Sequence, residues 1–132
     1  MAGARGLSFM GFPNKRKSVA GHLCDASRCS LAGLKAAWRN ELAFRQEVLA
    51  LILIAPAALW LGKTGLERAL LLGVWLLVLI VELINSSLEA VVDRIGLDAH
   101  ELSGRAKDLG SAAVLCALVL AAVVWINILV FP

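Results

Sequence analysis

Twenty-four consecutive residues without a charge, Leu109 to Pro132, constrain this chain more than any other feature. As a helix rising 1.5 Å per residue they reach about 36 Å, enough to cross a bilayer core with some tilt. Two more apolar runs precede them. Val48 to Leu61 holds fourteen uncharged residues and reaches twenty when extended back to Leu42, which takes in Arg45, Gln46 and Glu47. Ala69 to Leu88 is another twenty, interrupted by Glu82, Asn85, Ser86 and Ser87. Spans are therefore expected at about 42–61, 69–92 and 109–131. Hydrophobic residues make up 60% of the chain and charged residues 17%, with mean hydropathy +0.81. A soluble monomer of 132 residues cannot hide so much apolar surface, because small domains bury the smallest fraction of theirs. The same excess excludes intrinsic disorder. The fold class expected is an all-α membrane protein with three transmembrane helices.

The turn Gly62-Lys63-Thr64-Gly65 makes the first two spans an antiparallel hairpin. Orientation follows the basic residues. The side holding the N-terminus and the second loop carries Lys15, Arg16, Lys17, Arg28, Lys35, Arg39, Arg45, Arg94, Arg105 and Lys107; the other has Lys63 and Arg68. The N-terminus is thus expected in the cytoplasm. The first twenty residues lack the apolar stretch of a cleavable signal and read as loosely ordered. From Leu31 to Glu47, the residues Leu31, Leu34, Trp38, Leu42 and Phe44 have roughly helical spacing, with Lys35, Arg39 and Glu41 between. That pattern suits an amphipathic helix in the membrane interface before the first span. The net charge of +3 and the basic N-terminal cluster suit anionic headgroups. No aromatic residues interleave with the cluster, so nucleic acid is not expected as a partner. Trp38, Trp60 and Trp125 fall near span ends, whereas Trp75 falls mid-span and reads as packing.

Polar residues inside the second span are the informative feature. In VELINSSLEAVVDRIG (Val81–Gly96), Glu82, Asn85, Glu89 and Asp93 are spaced 3, 4 and 4. They fall within about 80° on one helix face. A carboxylate inside a bilayer helix costs on the order of 2.5–3.5 kcal/mol, so this face must meet protein, water or a cation. One reading is structural, with the carboxylates paired to Arg45, Arg94, Arg105 or Lys107. The other joins them to Glu41 and Glu47 as an oxygen-ligand site for Mg²⁺, which accepts one or two protein carboxylates beside phosphate oxygens. The loop Arg94 to Lys107, with Asp98, His100 and Glu101 and with Asp108 just beyond, mixes groups for phosphate with groups for metal or ribose. Gly62-Lys63-Thr64 is not a phosphate-binding P-loop: Ala57 stands where the first glycine is required, and the triplet follows a span instead of a strand. Cys24, Cys29 and Cys116 fit neither a disulfide framework nor a zinc site.

WRNELAFRQE (Trp38–Glu47), VELINSSLEAVVDRIG and HELSGRAKDLGSAAV (His100–Val114) closely resemble the bacterial membrane-integral diacylglycerol kinase family, over about residue 33 to the C-terminus. The resemblance implies a kinase domain over 31–132 after a variable segment 1–30, and a homotrimeric helix bundle in the bacterial inner membrane. It implies ATP-dependent phosphorylation of 1,2-diacylglycerol to phosphatidate, with Mg²⁺. By motif position it makes Glu82 the catalytic general base and Glu41 and Glu89 the metal ligands. It sets Asn85, Asp98, His100, Lys107 and Asp108 at the nucleotide, and Lys35, Trp38, Phe44, Arg45, Gln46, Glu47 and Ser111 near the lipid. The chain departs from the family upstream, where His22 and Cys29 stand at positions usually basic and aromatic. The related undecaprenol kinases share the acidic scaffold and are the nearest alternative. A non-enzymatic three-span subunit using Glu82 and Glu89 as a proton relay is the alternative of another class.

Overall fold

The computed structural model describes residues 19–96, 98 and 100–131, with side chains from Asp25 onward. Among them it has four helices and no strand: α1 (Val19–Asn40), α2 (Leu42–Leu61), α3 (Gly65–Ile95) and α4 (Glu101–Val130). The last three are long and apolar enough to cross a membrane. Among the described residues, those from Gly33 onward form one compact unit and those up to Ala32 belong to another.

The expected interfacial helix differs at both ends. It begins at Val19, well before Leu31, and stops at Asn40, so that Leu42 to Glu47 belong to the span alone, which coincides with the expected 42–61. Glu41 is the break, a single residue in extended backbone (φ −105°, ψ 115°). Its N–H still closes α1 on the Ala37 carbonyl at 2.8 Å, and its own carbonyl receives Arg45 N–H at 3.3 Å. One residue therefore changes the chain's direction while both of its backbone groups stay paired, as a membrane environment demands. Of the first twenty residues, expected to be loosely ordered, Val19 and Ala20 instead begin α1, and the rest lie outside the described residues.

At the opposite end the hairpin is locked. Thr64 caps α3 by accepting Glu67 N–H at 3.2 Å, and the Glu67 carboxylate accepts Lys63 N–H at 2.7 Å, a close variant of the capping box. Arg68 Nε donates to the Gly62 carbonyl at 2.8 Å. Gly62 is buried, and a Cβ there would fall 2.9 Å from the Ala58 carbonyl oxygen. The triplet that superficially suggests a P-loop is thus a helix cap.

Both α2 and α4 pack on α3. Lipid tails are as apolar as leucine, so close fit and hydrogen bonds hold such helices together more than water exclusion does. On α3, Leu71 and Val78 are fully buried, and Val74 and Val78 meet the small side chains Ala117 and Ala121 of α4. Trp125 Nε1 donates to the Leu71 carbonyl at 3.2 Å. On the other side Phe44 of α2 and Ala37 of α1 pack with Leu79. Trp75 Nε1 donates to the Glu47 carbonyl at 3.0 Å. The mid-span tryptophan is thus a packing residue, and Trp125, expected at an interface, joins it. These pairs fix two antiparallel registers. Stepping on from Trp75–Glu47 and Leu79–Phe44 brings Glu82 level with Glu41.

Candidate active site

The register matters because α2 begins at this level. Its twenty residues make about 30 Å, the thickness of a bilayer's hydrocarbon core. Beyond Glu82, α3 runs on for thirteen residues past the start of α2, accompanied by α4. Asn85, Glu89 and Asp93 lie on this extension. The acidic face therefore starts where the three-helix apolar layer ends.

Glu82 is the one buried charged residue among those described, 5% exposed. Its helical position explains this: it falls between the seam that meets α4 (Val74, Val78) and the seam that meets α2 (Trp75, Leu79). The charges of Glu41 and Glu89 both reach Glu82, and the charge of Glu82 reaches Glu47. The resemblance assigns these four carboxylates to three different roles, and the fold brings the other three within electrostatic reach of Glu82. Asn85 points its amide at α4, where Gly110 leaves room for it, and its Nδ2 donates to Glu89 Oε1 at 3.1 Å. Asn85 Oδ1, Ser86 Oγ and Glu47 Oε2 are buried with no hydrogen-bond partner. Buried polar atoms left unpaired are costly and mark a place where a further group completes the structure.

Of the pairings that would make this face a structural lock, one forms: Lys107 Nζ lies 2.6 Å from Asp93 Oδ1. No salt bridge among the described residues reaches Glu41, Glu82 or Glu89. Nor do any three of the described His, Cys, Asp and Glu side chains approach closely enough to hold a metal by themselves. The donor set still suits Mg²⁺, a hard cation that needs only one or two carboxylates when phosphate oxygens and water complete its shell. Unneutralised carboxylates and an unpaired amide oxygen, Asn85 Oδ1, are the groups such an ion would meet.

A cleft of about 600 Å³ opens beside the ladder, lined by Asp93, Gly96, Asp98, His100, Glu101 and Lys107 among others. Its size falls in the range of small-molecule sites. His100 caps α4 by accepting Leu102 N–H at Nδ1, 3.2 Å. The α4 N-terminus faces this cleft and its dipole favours anions there. Asp108 and Ser111 are exposed on α4 and do not line the cleft. Lys35, Trp38 and Gln46 are exposed, Arg45 and Glu47 are half-buried, and Phe44 is buried in the packing with Leu79. The residues assigned to lipid thus surround the α1–α2 elbow, on two faces of it. Sequence reasoning missed Gly110, whose small size no local pattern announces; the structural pairing it offers for Asp93 forms, with Lys107 as the partner.

Comparison with known proteins agrees with this layout. The family model described as prokaryotic diacylglycerol kinase matches residues 28–129. A diacylglycerol kinase of Escherichia coli (strain K12) is 54% identical over 103 residues, covering 78% of this chain and 84% of its own. One from Haemophilus influenzae is 49% identical over 110 residues, 83% and 93% of the two chains. One from Pseudomonas aeruginosa is 48% identical over 117 residues, 89% and 95%.

Proposed function

The chain belongs to the prokaryotic diacylglycerol kinase family and is a membrane lipid kinase that uses ATP, and from this premise we propose how its residues divide the work. The γ-phosphoryl group of ATP passes to the free hydroxyl of 1,2-diacylglycerol. The lipid oxygen bonds to the γ-phosphorus, the bond from γ-phosphorus to the bridging oxygen breaks, and ADP and phosphatidate leave. Such transfers depend on positioning and charge neutralisation. Glu82 accepts the hydroxyl proton; the observation that carries this role is its burial at the level where α2 begins. At that depth the acyl chains stay in lipid while the hydroxyl reaches the carboxylate. Asn85, held by Glu89, orients the reacting groups. Asp98, His100, Lys107 and Asp108 receive the nucleotide at and around the cleft, and the elbow residues Lys35, Trp38, Phe44, Arg45, Gln46 and Glu47, with Ser111, receive the lipid. Glu41 and Glu89 would hold Mg²⁺, which would supply charge neutralisation for the phosphates.

The kinase module takes in residues 31–132, with 1–30 as a variable segment. The excess of basic residues at the elbow end supports a cytoplasmic location for that end, with the protein in a bacterial inner membrane. The working unit is a homotrimer. The absence of a three-ligand metal site among the described residues of one chain supports a site completed by nucleotide and by a neighbouring subunit. The test is phosphatidate formation by purified protein in mixed micelles. ³²P transfer from ATP to 1,2-diacylglycerol, lost in EDTA and restored by Mg²⁺, is expected. Transfer to undecaprenol alone would overturn the lipid assignment, and no transfer to either lipid would overturn the kinase reading.

A further inference from the structure

Lys107 is the only cation among the described residues lining the cleft; Asp93, Asp98 and Glu101 line it with the opposite sign. A lysine is a point charge on a flexible four-carbon stem, so where its ammonium sits is decided by what holds it. Here the holder is Asp93, with Oδ1 2.6 Å from Nζ. Asp93 is the last member of the ladder Glu82, Asn85, Glu89, Asp93, one turn beyond Glu89. The charge of Glu89 reaches the same ammonium. Asp93 and Lys107 come from different helices, α3 and α4, and their pairing ties these helices together where both run past α2. Both side chains are partly exposed, 54% and 40%, and exposed pairs add little stability. Holding the bundle together therefore does not account for the contact; fixing the ammonium at the cleft wall does.

We propose that Asp93 is a positioning residue for nucleotide binding, one that presents the Lys107 ammonium to the phosphates of ATP in the cleft. The proposal rests on the kinase reading above and deepens it. An incoming triphosphate meets a cation already placed, with its stem immobilised before binding, so less rotamer freedom is lost on complex formation. Because Asp93 acts through Lys107, removing it disturbs nucleotide affinity and leaves the chemical step alone.

The test compares wild type, D93A, D93N, K107A and the double variant D93A/K107A in mixed micelles, reading KM for ATP, KM for diacylglycerol and kcat separately. Fluorescent trinitrophenyl-ATP binding without turnover gives a second readout. D93A should raise KM for ATP and the probe's Kd about two- to fivefold, with kcat and KM for lipid unchanged. D93N, which keeps an acceptor but loses the charge, should fall between. The double variant should match K107A alone, since Asp93 has nothing to position once the ammonium is gone. Should D93A fail to fold, D93N carries the same test by its KM for ATP. A wild-type KM for ATP in D93A or D93N, a loss confined to kcat, or additive effects in the double variant would overturn the proposal while leaving the kinase reading intact. Failure of the wild type to phosphorylate any lipid would overturn both.

Discussion

Gly110 on α4 faces the side-chain amide of Asn85 on α3 with no room between them for a Cβ. The amide reaches Glu89 because that space is open. Exchanging Gly110 for Ala forces the flexible end of Asn85 to rotate and breaks the Asn85–Glu89 hydrogen bond. Alanine also favours the helix by roughly 0.8–1 kcal/mol, which offsets much of the crowding. Gly110→Ala should therefore lower kcat at least tenfold while changing the midpoint of thermal inactivation little. A variant with wild-type kcat would show that Asn85 needs no fixed orientation.

Glu82→Gln keeps the volume of a side chain that is 5% exposed and removes its ability to accept a proton. General-base contributions run to about 10²–10⁴-fold, and a loss of kcat in that range is expected with nucleotide binding retained. The check is ³²P transfer measured beside probe binding.

Trp75→Phe deletes the donor to the Glu47 carbonyl, a bond that joins residues 28 apart and sets α2 against α3. A loss of about 1 kcal/mol is expected for the hydrogen bond alone. It should be read as a lower midpoint in thermal inactivation or in SDS titration.

Thr64→Ala removes the α3 cap at the end of the bundle away from the acidic face. Stability should fall by about 0.5–2 kcal/mol, with kcat and both KM values unchanged below the melting range. Altered KM for ATP in this variant would mean that the two ends are coupled.

The spans were legible because hydropathy over twenty residues outweighs any local detail, and the acidic face because a spacing of 3, 4 and 4 has one helical meaning. The break at Glu41 was not. NELAF contains no proline or glycine and would continue a helix by propensity alone; the turn is decided by Ala37 and Phe44 both packing with Leu79, a relation between distant residues. Leu42 to Glu47 fit both the surface pattern and the expected span 42–61, and that packing assigns them to the span. Trp125 was read as an interfacial anchor, and its donor instead found the Leu71 carbonyl 54 positions away. Asp93 carried an expected ion pair, but four basic partners were available, and only the α3–α4 register selects Lys107. What stayed hidden depends on which helices touch and at what offset, and side-chain periodicity within one helix is silent on that.

Nine apolar residues are buried among those described, and two of them, Leu71 and Val78, are large and fully enclosed. Residues such as Leu53, Trp60, Leu66 and Ile95 are at least 70% exposed. An interior this thin makes the surrounding amphiphile a component of the native state, linked to it by mass action like any other ligand. Melting points recorded in a short-chain detergent and in native-like lipid therefore describe different equilibria, and variants should be ranked only within one solvent.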